Sequence, residues 1–168
     1  MPNWAEGNIR FRGKRENLIR FFTHELVSPY PREEGGFGEK PVRVEVDRDN
    51  YTLYATRDPE TDAYLYFRGS NRQFIDMDEE VMAVNLHSYN TRDDQIVIME
   101  NYQAAWNVDK NYFREKAKEY KIDIRTFVWE LGMEWSSVIT WYRNGEMDEE
   151  TRTYSDWLWD ASMPYNGG

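Results

Sequence analysis

The stretch Asn8-Ile9-Arg10-Phe11-Arg12 decides the fold, because it alternates polar and apolar side chains before it ends at Gly13. This period of two is typical of a half-buried β-strand and turns Ile9 and Phe11 toward a core. Helical spacing of apolar residues follows, so the segment from Glu16 to Leu26 is predicted to be a helix. The chain therefore opens with a strand and then a helix.

The same two periods recur along the rest of the chain. Strands are predicted over 42–46, 51–55, 64–67, 96–99, 122–129, 135–142 and 146–154, and a second helix over 109–120 with Asp109 as its N-cap. The first three of these strands read as one meander. Asn144-Gly145 predicts a tight hairpin turn in which both residues take positive φ. The segment 78–86 fits a short helix or a strand equally well.

This order of elements predicts a ferredoxin-like α+β fold: an antiparallel sheet with two helices packed on one face. The repeated order of strand, helix and strands also suggests two related halves. The whole chain, 1–168, is expected to form one domain. Residues 29–41, rich in Pro and Gly, are predicted to be a mobile loop, either functional or a plain connector. The tail 155–168 carries Trp157 and Trp159 and is expected to dock on the body.

The composition limits the function classes. The chain has no cysteine and a net charge of −10, and the segment 71–100 alone holds two basic and seven acidic side chains. An acidic surface repels phosphate backbones, so generic nucleic-acid binding is not expected. No apolar run suits a membrane helix, and we expect a cytoplasmic protein that needs no cofactor. The acidic surface either keeps the protein soluble or meets a basic partner.

Two segments are candidate binding sites. Arg68-Gly69-Ser70-Asn71-Arg72 follows a strand directly, and Arg68, Asn71 and Arg72 could hold an anion there. The acidic segment Asp76-Met77-Asp78-Glu79-Glu80 could bind a partner through Asp76, Asp78, Glu79 and Glu80, or could simply be solvated. No catalytic motif is recognisable, and His24 and His87 do not have a metal-ligand spacing.

The opening Met1-Pro2-Asn3-Trp4, with the strand 8–12 and Gly13 after it, resembles the YubB ferredoxin-like family of small phage and plasmid proteins. Ala5 stands where that family has a cysteine, which suggests a divergent branch. The segment 132–135 resembles that family's Trp-Gly-x-x-Trp-like segment near the C-terminus. The segments 68–75 and 163–168 resemble parts of related small proteins of Gram-positive bacteria and their mobile elements. The resemblance implies a ferredoxin-like fold and a mobile-element origin, and it implies no activity.

The sequence therefore favours a non-enzymatic accessory protein of a mobile element that binds another protein through acidic and aromatic surfaces. One alternative is a small-ligand or nucleotide binder that uses the turn at residues 68–72. A further alternative is a metal-dependent hydrolase, motivated only by the density of carboxylates.

Overall fold

The computed structural model describes residues 3–33, 37–47, 52–59, 61, 64–86 and 94–161. Their strands are β1 (Trp4–Lys14), β2 (Leu26–Pro31), β3 (Phe37–Pro41), β4 (Arg43–Asp47), β5 (Thr52–Thr56), β6 (Tyr64–Phe67), β7 (Gln73–Asp76), β8 (Val81–Asn85), β9 (Asp94–Ala105), β10 (Asp123–Glu130), β11 (Trp135–Trp141) and β12 (Met147–Thr153). The helices are α1 (Arg15–Glu25), α2 (Lys110–Tyr120) and α3 (Trp157–Asp160).

Nine strands form one sheet in the order β12-β11-β10-β1-β9-β7-β6-β2-β3, and β4-β5-β8 form a second, smaller sheet. All the pairings are antiparallel. The strand predicted over 8–12 is confirmed as part of β1, which lies between β10 and β9. Gly7 is required in β1, because a Cβ there would collide with the Phe127 carbonyl of β10.

The expected ferredoxin-like α+β fold is wrong. Strands make up 55% of the described residues and helices 19%, in a nine-stranded sheet and a small one. The predicted meander is divided, because β4 and β5 pair with β8 in the small sheet while β6 pairs in the large one. The open segment 78–86 contains the strand β8, the strand predicted over 96–99 is part of the 12-residue β9, and β7 was not predicted. These additional strands make the protein predominantly β.

The segment 29–41, expected to be a mobile loop, contributes to the paired strands β2 and β3. Residues 34–36 of it lie outside the described residues, and mobility stays a prediction. In the tail, Trp157 is buried and packs on Tyr154, with ring centroids 4.9 Å apart. Leu158 and Trp159 are 94% and 86% exposed, and residues 162–168 lie outside the described part.

Aromatic side chains fill the core on one face of the large sheet, here called the inner face. Phe11 of β1 packs against Phe21 and Phe22 of α1 at centroid distances of 5.0 and 5.1 Å. Phe113 of α2 meets Trp141 of β11 at 5.3 Å. The periodicities that predicted these strands and helices therefore also identify their buried sides. None of the described helices has the length and apolar character needed to cross a bilayer.

Of two local predictions, one is confirmed and the other differs in detail. Asp109 caps α2 as predicted, since its carboxylate accepts a hydrogen bond from the Tyr112 backbone N–H at 3.1 Å. The hairpin at Asn144-Gly145 also forms, but Gly145 alone of the pair has positive φ, at 92°. Asn144 instead accepts the Glu146 amide through its side chain at 3.0 Å, which is a common way for Asn to close a turn.

Candidate functional site

The face of the large sheet opposite the core, here called the outer face, carries Asp76, the first of the predicted acidic residues. Strand register places Glu6 of β1 opposite Gln103 of β9, which in turn lies opposite Phe74 of β7. Asp76 is two residues beyond Phe74 and therefore projects on the same side of the sheet. The outer face is therefore where the acidic segment meets the central strands.

A groove of about 250 Å³, here called the acidic groove, lies between β7, β8 and β9. Four carboxylate residues and several apolar residues line it; those that matter here are Asp76, Asp78, Glu79, Glu100, Val81 and Ile98. Val81 is 41% and Ile98 46% exposed, which is high for β-branched apolar residues in strands. The groove thus combines an acidic rim with accessible apolar surface.

The acidic groove follows the edge of β8. Four consecutive residues of this strand, Val81 to Val84, line it, although successive side chains point to opposite faces. The groove must therefore contact the strand's backbone edge as well as its side chains. Within the described residues β8 pairs only with β5, so no described strand is hydrogen-bonded to its second edge. Such an edge can accept another extended chain.

The structure brings three of the four predicted partner-binding residues together at this groove: Asp76, Asp78 and Glu79. Glu80 does not line it, and its carbonyl instead accepts the Arg57 amide at 3.1 Å. The side chains of Asp78 and Glu79 are exposed, and none of the three makes a hydrogen bond or ion pair to another described residue. Their charge is therefore available to a partner.

Aromatic side chains border this acidic surface. Tyr64 of β6 is the register partner of Asp76, and its ring lies 6.0 Å from that of Phe74. Phe74 also contacts Tyr66 at 5.3 Å and Trp4 at 5.8 Å. The combination of acidic and aromatic surface expected from the sequence is therefore present beside β7.

The predicted anion-binding turn lies at the C-terminal end of β6. Asn71 donates its backbone N–H to the Asp109 carboxylate at 2.8 Å, and Arg68 Nε is 3.8 Å from Glu39 Oε2. Arg72 is exposed and takes a φ of 56°. Arg68, Asn71 and Arg72 thus share one exposed turn, but a carboxylate already holds the Asn71 amide. Ligand binding by this turn stays a prediction.

Glu25 is a carboxylate that no sequence pattern singles out, and it lies between α1 and α2. It is 5% exposed and accepts hydrogen bonds from Tyr112 at 3.0 Å, Tyr120 at 2.5 Å and Lys116 at 3.0 Å. Burial, followed by the charge of Glu25, raises the pKa of the Tyr112 phenol far above its usual value. Because three donors satisfy Glu25, it serves to join the helices.

The further alternative, a metal-dependent hydrolase, needs clustered ligands. Among the residues that the structure describes, no three His, Asp or Glu side chains are close enough together to hold a metal ion. His24 lies on α1, with Nδ1 3.4 Å from the Tyr120 hydroxyl. His87 lies outside the described residues.

A scan against models of protein families, a search of curated proteins and a search of solved structures each find no match to this chain. The resemblance of the opening residues to the YubB family therefore stays a prediction. What the chain can do has to be inferred from its own surface.

Proposed function

We propose that this protein is a non-enzymatic binding protein that captures an extended, basic segment of another protein in the acidic groove. The observation that carries the proposal is the position of Asp76, Asp78 and Glu79 beside the unpaired edge of β8. The resemblance to mobile-element proteins suggests that the partner is a cytoplasmic protein of the host or of the element itself.

The edge of β8 supports a particular binding mode. An added strand gains main-chain hydrogen bonds from an exposed sheet edge, while alternate side chains enter neighbouring pockets. Val81 and Ile98 offer apolar contact for one side of such a segment. Partner segments with apolar residues at every second position are therefore the ones that fit.

Charge selects among those segments. Asp78 and Glu79 have no ion-pair partner among the described residues, so a Lys or Arg of the partner would gain an interaction without breaking one. Complementary charge of this kind raises association rates and discriminates against wrong partners more than it adds affinity. Binding should therefore weaken steeply as the salt concentration rises.

The test uses a synthetic peptide of seven alternating lysine and valine residues and the ¹⁵N-labelled full-length protein. We expect amide shifts concentrated at residues 81–85 and at Ile98. We also expect the triple variant Asp76→Asn, Asp78→Asn, Glu79→Gln to bind at least about tenfold more weakly, since several charge pairs are lost. A glutamate–valine peptide of the same length should not bind.

A matched control removes three carboxylates elsewhere: Glu134→Gln, Asp156→Asn and Asp160→Asn, all exposed. This variant has the same net charge as the first, so equal weakening in both would mean that only overall charge matters. Shifts that avoid β8 altogether would also refute the proposed groove.

A further inference from the structure

A second groove on the outer face, here called the arginine groove, encloses about 260 Å³ where β1, β9, β10 and β11 lie side by side. The polar residues that line it are three arginines, one carboxylate and two hydroxyl residues: Arg10, Arg12, Arg125, Asp123, Thr140 and Tyr142. Three guanidinium groups in one groove are unexpected in a protein with a net charge of −10. No sequence pattern indicates this cluster, because Arg125 lies more than 100 residues from Arg10 and Arg12 along the chain.

Two of these arginines are direct cross-strand neighbours. Arg10 of β1 and Arg125 of β10 are register partners, which places their Cβ atoms about 5 Å apart. Like charges in directly opposite positions destabilise a sheet. Arg125 has no hydrogen bond or ion pair with any residue that the structure describes, so no direct contact of its own offsets the repulsion. A bound anion would relieve it.

The remaining groups are held in place. The buried Asn8 accepts a hydrogen bond from Arg10 Nε at 3.1 Å. Asp123 accepts from Arg12 Nε and Nη2 at 2.9 and 2.7 Å. The carboxylate of Asp123 thus orients Arg12, but it is shared with Arg143, whose Nε and Nη2 lie 3.0 and 2.9 Å from it. The groove is left with excess positive charge.

Hydroxyl and apolar groups complete the wall. Thr140 of β11 is the register partner of Arg125, and Tyr142 follows at the end of the same strand. Tyr142 donates to Asp148 at 2.8 Å, and this hydrogen bond raises the pKa of its phenol. Ile96 supplies an apolar side. The groove can therefore contact both a charged group and a small organic body.

We propose that the arginine groove binds the phosphate group of a small phosphorylated organic molecule. Guanidinium groups form paired, charge-assisted hydrogen bonds to phosphate oxygens, and two converging arginines suit a group that carries two negative charges. The groove's volume suits a small molecule. An extended nucleic-acid strand is disfavoured, because the neighbouring depressions carry Glu6 and Glu100 on one side and Glu150 and Asp160 on the other.

Phenyl phosphate is the probe, titrated into the full-length protein by calorimetry. We expect saturable binding to one site, and a loss of about tenfold or more in affinity for Arg10→Gln and for Arg125→Gln, since each removes charged hydrogen bonds to the ligand. Arg152→Gln is the matched control. It lies on the outer face in β12, pairs with Glu150, and should leave the affinity unchanged.

Stability provides a second, independent readout. The melting temperature of unliganded Arg125→Gln should equal or exceed that of the wild type, because a like-charge pair is removed. A lower melting temperature would mean that Arg125 serves the fold, and would overturn the proposal. The proposal would also be overturned if phenyl phosphate did not bind, or if Arg152→Gln lost as much affinity for it as the groove variants do. Benzoate that bound as tightly as phenyl phosphate, or single-stranded DNA (dT10) that bound more tightly, would overturn it as well. All these outcomes are independent of the acidic groove and its peptide.

Discussion

The acidic groove and the arginine groove both border the outer face of the large sheet, but only the arginine groove contains a buried carboxylate that holds one of its charged side chains in place. The arginine groove is anchored by Asp123, which is 8% exposed and accepts hydrogen bonds from both Arg12 and Arg143. In the acidic groove, Asp78 and Glu79 have no partner among the described residues. The grooves nearly touch, since Ile98 of the first is the register partner of Arg10.

The contrast between Asp123 and the pair Asp78 and Glu79 separates carboxylates that maintain the fold from carboxylates that are free to bind. A buried, paired carboxylate leaves its cations uncompensated when it is removed, so its loss costs stability. An exposed, unpaired carboxylate in an acidic protein adds mainly repulsion, and its loss costs little. Stability measurements can therefore show which charges belong to which class.

The largest effect is expected for Asp123→Asn. This change weakens the contacts to Arg12 and Arg143 that join the ends of β1, β10 and β11. Because hydrogen bonds between charged groups are lost, we expect the free energy of unfolding to fall by about 2 kcal/mol. Urea denaturation measures it.

Asp94→Asn is the control for Asp123→Asn, since Asp94 makes a single 2.9 Å contact to the same Arg143. It should cost only about 0.5 kcal/mol, as is typical of a partly exposed pair. If both variants lost the same free energy of unfolding, Arg143 and not Asp123 would be the residue that holds these ion pairs together.

An effect of intermediate size is expected at low pH, where the stability contributed by Asp123 is lost. Although burial raises the pKa of Asp123, hydrogen bonds from the side chain and backbone of Arg143 and from Arg12 outweigh it and leave the pKa below its usual value. A lowered pKa contributes stability above the unfolded-state pKa of about 3.9, and this stability is lost as the pH falls through the lower folded value. The stability difference between the wild type and Asp123→Asn should therefore be constant from about pH 5 to 7 and shrink below about pH 4. Urea denaturation at each pH follows it, and a difference that grows in acid would contradict the assignment.

Much of the local structure could be predicted from the sequence, because it depends on neighbours along the chain. The alternation at residues 8–12 and the helical spacing before Leu26 and after Asp109 correspond to β1, α1 and α2. The pairing of the strands into two sheets could not be predicted in this way. Nothing in the strands 42–46 and 51–55 indicates that they leave the meander to pair with β8, since that choice depends on packing against distant residues.

The same distinction applies to the two candidate sites, of which only the acidic one is formed largely by neighbours along the chain. The acidic segment was visible as a run of neighbouring residues, and the structure adds only the edge of β8 and the exposed Ile98 beside it. The arginine groove depends on the register of Arg10 with Arg125 across 115 positions of the chain. A slip of one residue would turn Arg125 to the inner face, so a single sequence could not reveal this pair.

The smallest effect is expected in the acidic groove itself. The variant Asp78→Asn, Glu79→Gln should change the free energy of unfolding by no more than about 0.5 kcal/mol, and toward greater stability, because it removes unpaired negative charge from an acidic protein. Added salt should also stabilise the wild type, because it screens the repulsion between these carboxylates and the other negative charges. Between 0.01 and 0.1 M NaCl the screening length falls from about 30 to about 10 Å. The melting temperature of the wild type should therefore rise more over this range than that of the variant. A loss above about 1 kcal/mol would mean that these carboxylates are engaged within the folded chain, which would remove the basis for offering them to a basic partner.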